Sequence, residues 1–126
     1  MGEEQSGPPH ILIVEDEESV ANAISRLLVR KGYKVTIAQD GFKAGVILAA
    51  EKPNLMTVDL RMPMLDGIGV LKHIRDHDLR IPVLVVSAGT KDEFDQAVKL
   101  GAKATLSKPF ENSELLEIID DLLEKG

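Results

Sequence analysis

The chain has 126 residues, a length that suits one domain able to bury roughly two-thirds of its surface without covalent staples. Its apolar content of 44%, charged content of 29% and net charge of −6 fit a globular protein and argue against a domain that itself coats a phosphate backbone. It has no cysteine, which excludes a disulfide framework, a thiolate zinc site and a thiol nucleophile and fits a reducing cytosol, and no apolar run approaches the ~20 residues of a membrane span.

Residues 1–9, MGEEQSGPP, lack the basic and apolar regions of a secretory signal and read as a polar, mobile leader. A continuous apolar run from His10 to Val14 then predicts a buried strand, tipped by Glu15-Asp16-Glu17-Glu18. Val20, Ile24, Leu27 and Leu28 recur at helical spacing until Gly32. Tyr33 to Ala38 alternates as a second strand, and Asp40 to Ala50 fits a helix ended by Pro53. Leu55 to Val58 predicts a third strand ending in the carboxylate Asp59, followed by a loop holding Pro63, Asp66 and Gly67.

Ile68, Leu71 and Ile74 mark a third helix, and Pro82 to Val86 a fourth strand tipped by Ser87. Lys91 to Leu100 reads as a helix closed by Gly101, with Thr90 as its cap. Ala104 to Ser107 gives a short fifth strand before Lys108-Pro109, and Ser113 is placed to cap a last helix reaching about Lys125. Strands alternating with helices, and apolar throughout, imply a doubly wound α/β domain with a parallel sheet covered on both faces.

In such a sheet the C-terminal strand ends share one edge, where open α/β folds bind ligands. Glu15, Asp16, Asp59, Ser87 and Lys108 should therefore converge. Crowded carboxylates call for a hard cation, and Mg²⁺ accepts one or two carboxylates with water and phosphate oxygens. A lysine and a serine hydroxyl suit a phosphoryl group, and a carboxylate such as Asp59 can form an aspartyl phosphate.

Four segments, IVEDE, VDLRMPMLDG, VVSAGT and GAKATLSKPF, stand in this order on the expected elements. With them the chain, from His10 onward, resembles the receiver domain of two-component response regulators, the CheY-like family. The resemblance implies a flavodoxin-like (βα)5 fold with strand order 2-1-3-4-5 and makes residues 10–126 the receiver domain. Asp59 would accept a phosphoryl group from a phosphohistidine, with Glu15, Asp16, Asp59 and the backbone carbonyl of Arg61 holding Mg²⁺. Ser87 and Lys108 would contact the phosphoryl oxygens, and the Lys108–Pro109 peptide would be cis. The implied partners are a sensor histidine kinase or histidine phosphotransfer protein and an output domain or protein. Neither membrane nor nucleic acid is an expected direct partner, the expected location is cytoplasmic, and a homodimer through helix four, strand five and helix five is open. The domain would catalyse only its own phosphorylation and dephosphorylation.

Two positions depart from the family pattern. The acidic pair is Glu15-Asp16 where Asp-Asp is frequent, and Thr105 stands where a switch aromatic is usual. Two other function classes compete. A phosphatase of the haloacid dehalogenase type also uses Asp, Mg²⁺ and Lys, but with its nucleophile on the first strand and an acid two residues later, where this chain has Arg61. The other is an interaction module that has lost phosphorylation, against which the full set of Asp16, Asp59, Ser87 and Lys108 argues. His73 and His77, four apart, lack a third metal ligand and read as solvent-facing, and Gly67-Ile68-Gly69 lacks the third glycine and preceding strand of a dinucleotide loop. On the last helix Leu115, Leu116, Ile118, Ile119, Leu122 and Leu123 form a stripe wide enough either to pack entirely or to leave an edge for a partner.

Overall fold

The structure is a computed structural model that describes residues 7–61 and 67–125. Five strands, β1 (His10–Val14), β2 (Lys34–Ala38), β3 (Leu55–Val58), β4 (Val83–Ser87) and β5 (Ala104–Ser107), alternate with five helices. The helices are α1 (Glu18–Arg30), α2 (Gly41–Glu51), α3 (Gly67–Asp76), α4 (Lys91–Lys99) and α5 (Asn112–Lys125). The sheet is parallel throughout in the order β2-β1-β3-β4-β5, as expected.

Every residue of β1, β3 and β4 is buried, which is why these strands read as unbroken apolar runs. Successive side chains point to opposite faces. Ile11, Ile13, Leu55, Leu84, Val86 and Leu106 pack against α1 and α5, whereas Leu12, Val14, Met56, Val58 and Val85 pack against α2, α3 and α4. Full burial of one such side chain contributes about 1.5–3 kcal/mol, so the three central strands anchor the fold.

Helix boundaries follow local chemistry. The Asp40 carboxylate accepts the Lys43 N–H at 2.8 Å and starts α2, and Lys52 ends it in the left-handed conformation just before Pro53. Thr90 caps α4 in a reciprocal capping box with Glu93. Gly67 opens α3 against the backbone of the preceding strand end; a Cβ there would lie 2.4 Å from the Asp59 carbonyl oxygen. The loop residues Pro63 and Asp66 lie outside the described residues.

Three details differ from the sequence reading. Ser113 is inside the first turn of α5 rather than its cap; Glu111 takes that place, its N–H donating to the Glu114 carboxylate at 2.9 Å. His77 falls one residue beyond α3, where its ring Nδ1 lies 2.9 Å from the His73 carbonyl, although both histidines are exposed as expected. At the other end, Pro9 is already tied to the sheet through a bond from the Lys34 N–H.

On α5, Leu115 and Ile119 are fully buried, and Leu116, Ile118, Leu122 and Leu123 are half-buried against the same core. The large exposed apolar side chains among the described residues are Val29, Phe42, Val46, Leu79 and Val98, none of them on α5.

Candidate functional site

The ladder bonds continue one step past the strand ends and set the site. The Glu15 N–H donates to the Ala38 carbonyl, the Asp59 N–H to the Val14 carbonyl and the Lys108 N–H to the Ser87 carbonyl. Glu15, Asp59, Ser87 and Lys108, up to 93 residues apart in sequence, thereby meet on one sheet edge. The Lys108–Pro109 peptide is cis, as the resemblance implied.

Asp59 lies at the centre and is 6% exposed. Its Oδ1 accepts the Ser87 hydroxyl at 2.7 Å and the Arg61 backbone N–H at 3.0 Å, and its Oδ2 accepts the Lys108 ammonium at 3.0 Å. Burial alone would push this carboxyl up. The Arg61 N–H, the Ser87 hydroxyl and Lys108 together outweigh burial and hold Asp59 below its ordinary value. At neutral pH it is a buried, ionised carboxylate.

Glu15 behaves oppositely. It is almost wholly buried, and burial raises its carboxyl more than the Lys108 bond at 2.9 Å and the Glu17 N–H at 3.2 Å lower it. For Lys108, burial works against the charged form, but bonds to Glu15 and Asp59 prevail and raise it above its usual value. An ammonium has three donors; two are committed here, leaving one for an incoming oxygen.

Carboxylate oxygens of Glu15, Asp16 and Asp59 all lie within 4.8 Å of one another, the one such acidic group among the described residues. Three carboxylates against one ammonium leave an excess of negative charge, and the donors are all hard oxygens. That set fits Mg²⁺ and offers nothing to a soft metal. Among the described residues, no buried polar side-chain atom lacks a partner.

Thr105 is half-buried, pairs with Val85 and by strand alternation shares the face of Ser87. The Arg61 guanidinium donates to Glu93, and no acid stands two residues after Asp59 as a dehalogenase-type phosphatase would need. Sequence reasoning gave Glu15 a metal role and missed its bond to Lys108. It also missed Glu93, although the Thr90-to-Glu93 spacing is a capping-box signature.

Comparison with known proteins agrees with this geometry. Residues 11–120 match the family model described as the response regulator receiver domain. The chain is 38% identical over 118 residues to the alkaline phosphatase synthesis transcriptional regulatory protein PhoP of Bacillus subtilis, covering 92% of this chain and 49% of that protein. It is 36% identical over 121 residues to the response regulator MprA of Mycolicibacterium vanbaalenii, covering 94% of this chain and 52% of that protein. The chain thus spans about half the length of the curated relatives it matches. Among solved structures, the response regulator signal receiver domain from Bermanella marisrubri superposes with a TM-score of 0.87 at 42% identity, over 92% of this chain and 98% of that one. Matched along nearly its whole length and carrying its acids, serine and lysine on one sheet edge, the chain belongs to the response regulator receiver domain family of two-component systems.

Proposed function

We propose that Asp59 is the phosphoacceptor and that the domain switches an output partner when Asp59 is loaded. The observation that carries this reading is the Asp59 carboxylate itself, buried, held ionised and bracketed by Lys108 and Ser87. A carboxylate oxygen of Asp59 attacks the phosphorus of a phosphohistidine on a sensor kinase or histidine phosphotransfer protein. The new P–O bond forms as the P–N bond breaks, and the electron pair of that bond stays on the leaving imidazole, which takes up a proton. Lys108 offers its remaining N–H to the incoming oxygens, and the Ser87 hydroxyl is free to turn from Asp59 Oδ1 to a phosphoryl oxygen. Glu15, Asp16, Asp59 and the Arg61 backbone carbonyl would hold Mg²⁺, Glu15 directly or through water. When bound, that ion supplies charge neutralisation for the transferring group.

The reading extends to a cytoplasmic location, and no helix among the described residues is long and apolar enough to cross a membrane. It makes residues 10–126 the receiver unit, with 1–9 as its leader. Half-length coverage of the regulators PhoP and MprA supports an output domain or protein as partner. A homodimer through α4, β5 and α5 has Val98 as its one large exposed apolar residue among those described.

Acetyl phosphate with Mg²⁺ and intact-mass spectrometry test the proposal. Wild type should gain one phosphoryl adduct and Asp59→Asn none; an undiminished adduct in the variant would overturn the assignment.

A further inference from the structure

The Arg61 side chain lies outside the roles assigned so far. Its backbone N–H donates to Asp59 Oδ1, but its guanidinium donates to Glu93 Oε1 from Nε at 3.2 Å and Nη2 at 3.0 Å. That oxygen also accepts the Thr90 N–H at 2.8 Å, the bond with which Glu93 closes the capping box of α4. A Cβ on Gly89 would lie 2.7 Å from the same oxygen, so the loop after Ser87 is shaped closely around it. Glu93 Oε1 thus gathers three donors. The bonds form a ring: Asp59 to Arg61, Arg61 to Glu93, Glu93 to Thr90, and back along the chain to Ser87 and Asp59.

We infer that Glu93 is a positioning residue that holds the Arg61 guanidinium off the acceptor, and that loading Asp59 draws the guanidinium from Glu93 to the phosphoryl oxygens. This rests on Asp59 being the phosphoacceptor. The competition favours transfer. The Arg61 and Glu93 side chains are 55% and 38% exposed, and an ion pair so exposed is weak. A phosphoryl group brings close to two negative charges and three strong acceptor oxygens, geometry that a guanidinium matches. The Arg61 main chain already touches Asp59, which roots its long side chain beside the acceptor. Once the pair opens, the acceptor loop and the first turn of α4 lose their side-chain link, while the capping box itself persists.

The test is a double-mutant cycle on the full chain, read as affinity for beryllofluoride in the presence of Mg²⁺. Glu93→Gln keeps an acceptor for the Thr90 N–H but removes the competing charge. It should tighten binding about two- to fivefold, the size of one exposed ion pair. Arg61→Ala should weaken binding about fivefold or more, and in that background Glu93→Gln should change nothing. In wild type the Arg61 Nε–Hε resonance should move on loading. Equal tightening by Glu93→Gln with and without Arg61 would mean simple charge relief and overturn the inference, as would a stationary Nε–Hε resonance. A wild-type chain that takes no beryllofluoride at all would overturn the phosphoacceptor assignment with it.

Discussion

Replacing Lys108 by methionine isolates the one cation that two buried carboxylates share. The Lys108, Glu15 and Asp59 side chains are 18%, 3% and 8% exposed, with contacts of 2.9 and 3.0 Å. Removing one partner of a buried pair typically costs 3–5 kcal/mol because the remaining charge is stranded. Lysine is partly open to water here, so the lower end applies: about 3 kcal/mol at neutral pH, or a fall in melting temperature of about 10 °C for a chain of this length. The loss should depend on pH with a definite sign. Glu15 is raised in the folded state, and without Lys108 it climbs further. A raised carboxyl contributes stability below its unfolded pKa and loses it as pH rises through its folded value. Asp59 is lowered, so its contribution in wild type fades as pH falls, and the part owed to Lys108 is missing from the variant. Both effects narrow the gap between variant and wild type towards acid. Urea unfolding of both proteins at several pH values between about 3 and 8, without divalent ions, gives the comparison across the ordinary carboxylate range and beyond. A deficit below about 1 kcal/mol at neutral pH, or one that widens on acidification, would refute the reasoning.

Two further outcomes are expected. Gly67→Ala places a Cβ 2.4 Å from the Asp59 carbonyl oxygen and 2.7 Å from the Leu60 Cα, both backbone atoms, so it should destabilise by about 3 kcal/mol in urea unfolding, and a change within about 0.5 kcal/mol would show that α3 yields freely. Thr105 is β-branched, half-buried and small, so backbone NMR shifts on adding beryllofluoride should concentrate in Ser87 to Thr90 and α4; equal shifts along β5 would show that the fifth strand is part of the switch after all.

Sequence alone revealed the strand tips because each apolar run ends abruptly in a polar group, and parallel topology carries all such ends to one edge. Which of those groups touch is another matter. The Glu15–Lys108 bond spans 93 residues and exists because β3 brings Asp59 between β1 and β4, so no local pattern announces it. Ser113 has the chemistry of a cap, but helix start is decided two residues earlier, where Glu114 reaches back to the Glu111 N–H. Periodicity is similarly silent on His77, whose place in the turn after α3 coincides with a left-handed Asp78 next in the chain. In sequence Arg61 enters through its backbone carbonyl, a metal ligand that the resemblance implies, and its side chain is given no partner. Its partner lies 32 residues on, at a capping box whose own signature is local while its contact with Arg61 is not.

One lysine bonded to two acids would be expected to lower both, yet Glu15 and Asp59 move in opposite directions. The difference lies in what else each carboxylate accepts. Besides Lys108, Glu15 has only the Glu17 N–H, at 3.2 Å, to offset its burial and the neighbouring Asp59 charge. Asp59 has the Ser87 hydroxyl at 2.7 Å and the Arg61 N–H at 3.0 Å on the oxygen that Lys108 does not use. Environments that push neighbouring acids apart divide their roles. Asp59 is held ionised, whereas burial favours the neutral form of Glu15 and the Lys108 ammonium opposes it. Glu15, Asp16 and Asp59 would hold a divalent ion, whose charge would favour the ionised form of Glu15, while Lys108 bonds both Glu15 and Asp59.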